Sequence, residues 1–362
     1  MSNEADVSAK LGELVAERVE IEKRLQEEPS EDSSAQLGSY EIAYARLQRA
    51  LAHLFGQSRE ESQRTTIMLE IMRILENKLV YLQNFAVDPT SDNRMLATLV
   101  DRFIGDLLAT GSTILAPLES TYYRAIAALY AGDRATARQG FLAACESEES
   151  DEANDIKYKS YVILGNLSHE EHDYQRARDL HDASLRYSSN DNVTAQALAF
   201  KALNSYALKD YGEALELFER ALELFDRDAP HFNSYFHRNA LIFCGSIYYG
   251  RKSYDKAAEC YRAVLAEVEE SSYDHFDALV HLGRTSYLRG RWDEAADTFD
   301  RAIRSHRFQD NESLMDTYYW LAKARIKQGR TDEARACLER VTASAVRYEN
   351  KPKAVELLGR VG

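Results

Sequence analysis

LGRTSYLRGRWDEAADTFDRAI, residues 282–303, sets Gly283, Gly290, Trp292, Ala295, Phe299 and Ala302 in a cadence that the chain repeats. Upstream it returns as Asp210, Tyr211, Ala214, Phe218 and Ala221, and as Gly245, Tyr248, Tyr254, Ala257 and Tyr261. Aligning the small residues gives Ala125, Gly165, Ala202, Gly245, Gly283 and Ala322, spaced 37 to 43 residues apart. Twelve positions after each stands an alanine: Ala137, Ala177, Ala214, Ala257, Ala295 and Ala334. Six units in constant register define a repeat of two helices. Where antiparallel helices nearly touch, only Gly or Ala fits between the backbones. One turn after the alanine, on the same face, stand the larger Phe141, Phe218, Tyr261 and Phe299, while His181 and Leu338 take that slot in units two and six.

The pattern resembles a long variant of the tetratricopeptide repeat. That resemblance implies an all-α fold, a right-handed solenoid whose first helices line a concave groove that grips a protein or peptide. In four of the six units the turn before the second helix carries Asp133, Asp173, Asp210 or Ser253, residue types that cap free helix N–H groups. Asp210 and Glu213 have the spacing of a capping box. Arg291 and Arg330 occupy the same turn position and leave their caps unexplained.

Composition agrees with long helices. The 362 residues are 45% hydrophobic and 29% charged, with only 5 prolines and 16 glycines to break them. A net charge of -14 argues against binding a nucleic-acid backbone, which takes clustered Lys and Arg. Cys145, Cys244, Cys260 and Cys337 lack metal-ligand spacing and read as small buried hydrophobes, although Cys244 and Cys260 fall on the two helices of one repeat. No apolar segment follows Met1, and no stretch approaches a membrane span. Cytoplasmic residence is expected, with the sequons at Asn166, Asn192 and Asn311 coincidental.

Residues 1–28 read as an amphipathic or coiled-coil-like helix through Leu11, Leu14, Ile21 and Leu25, interrupted by Arg18. This leaves self-association open. Residues 29–39 read as a linker rich in Ser, Glu and Asp, and 40–116 as a helical bundle with helices near Tyr40–Phe55, near Glu60–Phe85 and after Asp88-Pro89, the last ending at Gly111. The six repeats span 117–346, opening on Pro117, and 347–362 form a capping helix for the last apolar face. The acidic run from Glu146 to Asp155 reads as a solvated connection or a docking strip for a basic partner.

Catalytic signatures fail on spacing. Ser168-His169-Glu170-Glu171-His172 sets its histidines three apart where a zincin needs four. Gly245 to Ser253 is similar to a phosphate loop with Lys252 one residue late, and its apolar interior suits a repeat helix. No enzyme, cofactor or metal is expected. The family's groove geometry, carried over by register, implies partner contacts at Tyr122, Asn166, Tyr206, Tyr249, Arg284, Tyr287, Tyr319, Lys323 and Lys327. Tyr206, Tyr249 and Tyr287 share one slot in successive repeats, suited either to anchoring a peptide or to packing repeats together. Arg284, Lys323 and Lys327 form a basic end able to meet a carboxylate. A co-chaperone clamp for a C-terminal carboxylate is disfavoured, because Val162 and Phe200 stand where polar residues are needed. The leading function is a protein- or peptide-binding scaffold. The alternative is a regulator switched by its partner, since a helical bundle before long repeats is similar in layout to bacterial Rap-type peptide sensors.

Overall fold

The structure, a computed structural model, describes residues 2–27, 33–80, 91–109, 113–148, 150–229, 232–270, 272–306 and 310–361. Among these there are 17 α-helices and no strand. Four helices come first: α1 (Ser2–Glu27), α2 (Ser33–Gln57), α3 (Glu61–Val80) and α4 (Ser91–Ala109). Six helix pairs follow: α5 (Pro117–Ala131) with α6 (Arg134–Cys145), α7 (Asp151–Glu170) with α8 (Tyr174–Ser184), α9 (Asp191–Ala207) with α10 (Tyr211–Leu224), α11 (Ser234–Gly250) with α12 (Tyr254–Leu265), α13 (Tyr273–Leu288) with α14 (Trp292–Ser305), and α15 (Glu312–Lys327) with α16 (Thr331–Ala343). The chain closes on α17 (Lys351–Val361). Two compact units form, one including Leu37–Asn233 and the other Ser234–Gly362, so each holds three pairs. Within each unit successive pairs stack, α6 on α7 and α8 on α9 in the first, α12 on α13 and α14 on α15 in the second.

Helix α2 begins at Ser33, inside the stretch expected to be a linker. Residues 28–32 and 81–90, with Phe85 and Asp88-Pro89, lie outside the described residues, as does Gly111. The apolar face of α1 is spent within its own unit: Val7, Leu11, Leu14 and Ile21 join Leu47, Leu51, Ile67, Met68 and Ile71 in one core. Arg18, which interrupts that face, is buried, with Nε donating to Glu70 Oε2 on α3 and Nη1 to Glu22 Oε2, both at 2.5 Å. Charge pairing is what lets an arginine enter that core.

A second buried carboxylate ties the bundle to the first repeats. Glu76 on α3 accepts from Tyr122 Oη at 3.3 Å and Tyr123 Oη at 3.2 Å on α5, and pairs with Lys159 Nζ on α7 at 2.7 Å. Lys159 also meets Asp155 Oδ2 at 2.7 Å, within the acidic run. Burial depresses the Lys159 ammonium, but Glu76 and Asp155 outweigh it and the net shift is upward. Burial first, then Glu76, raises the Tyr122 and Tyr123 phenols. Glu146 is the C-cap of α6, and Ser150 caps α7, its Oγ accepting from Ala153 N at 3.1 Å.

The aligned small residues mark ring seats. A Cβ on Gly165 would lie 2.3 Å from the His181 ring, on Gly245 2.8 Å from Tyr261, and on Gly283 2.6 Å from Phe299. In the first pair Ala125 meets Gly140 instead, 2.7 Å from where its Cβ would stand. Between first and second helices every turn uses the same device: Gly132, His172, Lys209, Lys252, Gly290 and Gly329 all have positive φ. The N–H of the next residue then reaches a carbonyl five back, as Ser253 to Tyr248 and Arg291 to Ser286, ending each first helix in a Schellman motif. Asp133, Asp173 and Asp210 cap as expected, through Thr136, Arg176 and Glu213 N–H groups. Ser253 makes no side-chain cap, nor do Arg291 and Arg330. The left-handed residue already sets the turn, so capping is optional. The reciprocal half of the Asp210 capping box is also absent from the bonds of Glu213, whose Oε2 accepts instead from Arg178 at 2.8 Å and Ser205 at 2.7 Å. All four cysteines are free, Cys244 and Cys260 included, and burial pushes the Cys145 thiol up to about 12.

Helix α17 packs on α16. Ala354 is fully buried, and Arg335 Nη2 donates to Val361 O at 3.0 Å. Before it, Tyr348 Oη donates to Asp316 Oδ1 on α15 at 2.7 Å.

Candidate functional site

In the second unit, helical spacing brings Tyr319, Lys323 and Lys327 to one face of α15, four residues apart. Beside them stands Tyr287 of α13, and α17 supplies Lys353, Glu356, Leu357 and Arg360. With Ile326 these residues line a cavity of about 320 Å³. Its floor is aromatic. The Lys323 ammonium lies 3.7 Å from the Trp320 ring centre, 5.0 Å from that of Tyr287 and 5.6 Å from that of Tyr319. Tyr287 and Trp320 meet edge-on at 5.4 Å, and Tyr319 and Trp320 at 6.4 Å. Lys327 reaches within 5.7 Å of the Trp292 ring. Each contact is a cation facing the negative face of a ring.

Electrostatics mark the cavity as short of negative charge. Burial, then Lys353, pushes the Lys323 ammonium down. Burial raises the phenols of Tyr287 and Tyr319, helped by Tyr319 and Glu356 respectively. The one carboxylate in the lining, Glu356, is paired with Arg360 one turn on.

The candidate contacts do not form one set. Tyr287, Tyr319, Lys323 and Lys327 converge on the cavity. Arg284 lies 5.9 Å from the Trp320 ring but is ion-paired with Asp316, the same carboxylate that holds Tyr348. It therefore braces neighbouring repeats. Tyr249 meets Tyr254 edge-on at 5.9 Å, and Tyr206 meets Tyr211 at 5.2 Å. His169 does the same with Tyr174 at 5.1 Å, so this slot packs each first helix on the start of its own second helix. Tyr287 reaches Trp320 of the next repeat, as His169 Nδ1 reaches Asn204 Oδ1 at 2.8 Å. Tyr122 is 1% exposed and spent on Glu76; Asn166 is also buried. Neither offers a partner more than an edge. Sequence register had no means of seeing that the bundle covers the first repeats.

Trp320, Lys353, Glu356, Leu357 and Arg360 escaped sequence reasoning. A signal for Trp320 was present, a tryptophan three residues before Lys323 on one helix. The α17 residues carried none, because nothing local tells a capping helix which face its side chains complete. Among the described residues no group of three or more His, Cys, Asp or Glu is placed to hold a metal ion, and no helix is long and apolar enough to cross a membrane. The phosphate-loop look-alike is helical through Gly250, its N–H groups already bonded.

Two family models described as tetratricopeptide repeat match residues 245–310 and 316–345, covering the pairs that build this cavity. The chain carries tetratricopeptide repeats. No curated protein matches it. Among solved structures, the apo form of the quorum sensor NprR from B. thuringiensis is 18% identical over 79% of this chain and 78% of that one, with a TM-score of 0.50. YrrB, a TPR protein with an unusual peptide-binding site, is 17% identical over 50% and 83%, at 0.41. MamA from Desulfovibrio magneticus RS-1 is 18% identical over 56% and 96%, also at 0.41. At such identities the likeness speaks to fold alone.

Proposed function

We propose that the protein is a non-enzymatic, peptide- or protein-binding tetratricopeptide array that holds its partner on the face formed by α13, α15 and α17. The observation that carries this reading is the cavity itself, where Tyr287 and Tyr319 stand half-buried around Lys323. Rigid rings with polar tips give contact area at low entropic cost. Nothing in that lining supplies a nucleophile activated by a base, so shape and charge complementarity do the work. Affinity capture from the native cell, with wild type and Tyr287→Ala/Tyr319→Ala in parallel, tests the assignment. Loss of the same partners with unchanged far-ultraviolet circular dichroism supports it. Equal capture by the double variant removes it.

A regulator switched by a peptide is the second reading. It draws on the fold-level likeness to a quorum sensor across most of both chains and on the buried Glu76 contacts through which the N-terminal helices join the first repeats. Small-angle scattering with and without bound peptide separates the two. Compaction favours the switch, and an unchanged profile the static scaffold.

A further inference from the structure

Most arginines of the second unit already have a carboxylate. Arg262 pairs with Glu294, Arg284 with Asp316, Arg325 with Asp300 and Arg340 with Asp310. The lysines of the cavity depart from that pattern. Among the described residues Lys323 and Lys327 meet only aromatic rings, and Lys353 Nζ donates to Asn350 Oδ1 at 2.7 Å, a neutral acceptor. Three ammonium groups thus share one recess with a single carboxylate that Arg360 already engages. They do so in a chain of net charge -14, where carboxylates to pair with are abundant. Cations gathered in one recess without a carboxylate of their own favour an anionic occupant, because each can gain a charge-assisted hydrogen bond to it.

The walls narrow the class. Tyr287, Tyr319, Ile326 and Leu357 present apolar surface beside the ammonium groups, so a bare inorganic anion would leave half the lining unused. About 320 Å³ stands at the small end of ligand pockets, enough for one or two residues of a chain passing over it. A stripe of phosphates needs an extended basic track, and this recess is local. The geometry points to an acid-recognition pocket in the last repeat: a peptide carboxylate, next to an apolar or aromatic residue, bridges Lys323 and Lys327 on α15 to Lys353 on α17. Helix α17 is then both the cap of the array and one wall of its specificity pocket. The inference rests on the reading that the second unit binds peptides and adds the chemistry it selects. The carboxylate can come from an Asp or Glu side chain or from a peptide C-terminus.

Selection separates these. The full chain is presented with a random octapeptide library displayed with free C-termini and the same library displayed with free N-termini. Lys323→Gln/Lys327→Gln and, on the other wall, Lys353→Gln run in parallel, each checked by its thermal melt. Expected binders carry Asp or Glu, or end in a free carboxylate, beside Leu, Phe or Tyr. They weaken about tenfold or more on Lys323→Gln/Lys327→Gln. Enrichment in the first library alone assigns the terminal carboxylate; enrichment in both assigns the side chain. Synthetic copies of the winners are then titrated by intrinsic fluorescence. Both of the chain's tryptophans, Trp292 and Trp320, lie under the two lysines, so emission should change with the acid peptide and not with its amide or Asn/Gln counterpart. Binders without acidic bias and indifferent to the lysine changes overturn the acid pocket while leaving peptide binding intact. Absence of any binder in both libraries overturns both.

Discussion

His181→Phe tests the packing logic of the repeat and its pH dependence together. His181 occupies the slot that Phe141, Phe218 and Phe299 fill elsewhere, is 1% exposed, and meets Phe200 edge-on at 4.9 Å. Neither ring nitrogen has a hydrogen-bond partner. Burial, then His169, drives its pKa down to about 3 from an ordinary 6.5. Folded and neutral, the ring binds fewer protons than the unfolded chain below pH 6.5, so stability is full above that value and is lost as pH falls toward 3. The slope is about 1.4 kcal/mol per pH unit, which makes the wild type about 2 kcal/mol less stable at pH 5 than at pH 7 on this account alone. Phenylalanine cannot titrate and removes two buried nitrogens, each costing on the order of 1–3 kcal/mol when unpaired. Urea unfolding followed by far-ultraviolet circular dichroism at pH 7 and pH 5 reads the result. The variant should match or exceed wild type at pH 7 and lead it by about 2 kcal/mol more at pH 5. A gap that stays constant between the two pH values, or a variant less stable at both, would refute the seat assigned to this ring.

Two further predictions follow from the repeat. Gly283→Ala would gain about 1 kcal/mol from helix propensity, but its Cβ would stand 2.6 Å from Phe299, and overpacking of about 1–3 kcal/mol should prevail. The urea midpoint read from tryptophan emission, which reports on the second unit alone, should therefore fall; a rise would mean the helices part freely. Asp210→Ala should cost about 1 kcal/mol because its carboxylate caps Glu213 N–H at 3.2 Å. Ser253→Ala, at the same turn position with no side-chain cap, should shift the thermal midpoint little, and equal losses would show that capping does not distinguish these turns.

The alternation of Gly or Ala with an alanine twelve positions later determined the repeat, its helix pairs and the seats of the large rings. Those are consequences of spacing along two neighbouring helices, and a linear pattern can record them. It could not record that Lys209 and Lys252 would take left-handed turns that glycine fills elsewhere, since the turn is enforced by the packing of the helices on either side. Nor did it reveal why Arg18 interrupts an apolar face, because Glu70 lies 52 residues away. The site divides along the same line. Register alone puts Tyr287, Tyr319, Lys323 and Lys327 on first helices, and these four line the cavity proposed to hold the partner. That Tyr206 and Tyr249 are occupied by Tyr211 and Tyr254, that Tyr122 is buried on Glu76, and that α17 completes the pocket with Lys353, Leu357 and Arg360 was decided only by tertiary structure. Helical periodicity fixes which way a side chain faces; which other element arrives in front of it depends on how the whole unit packs.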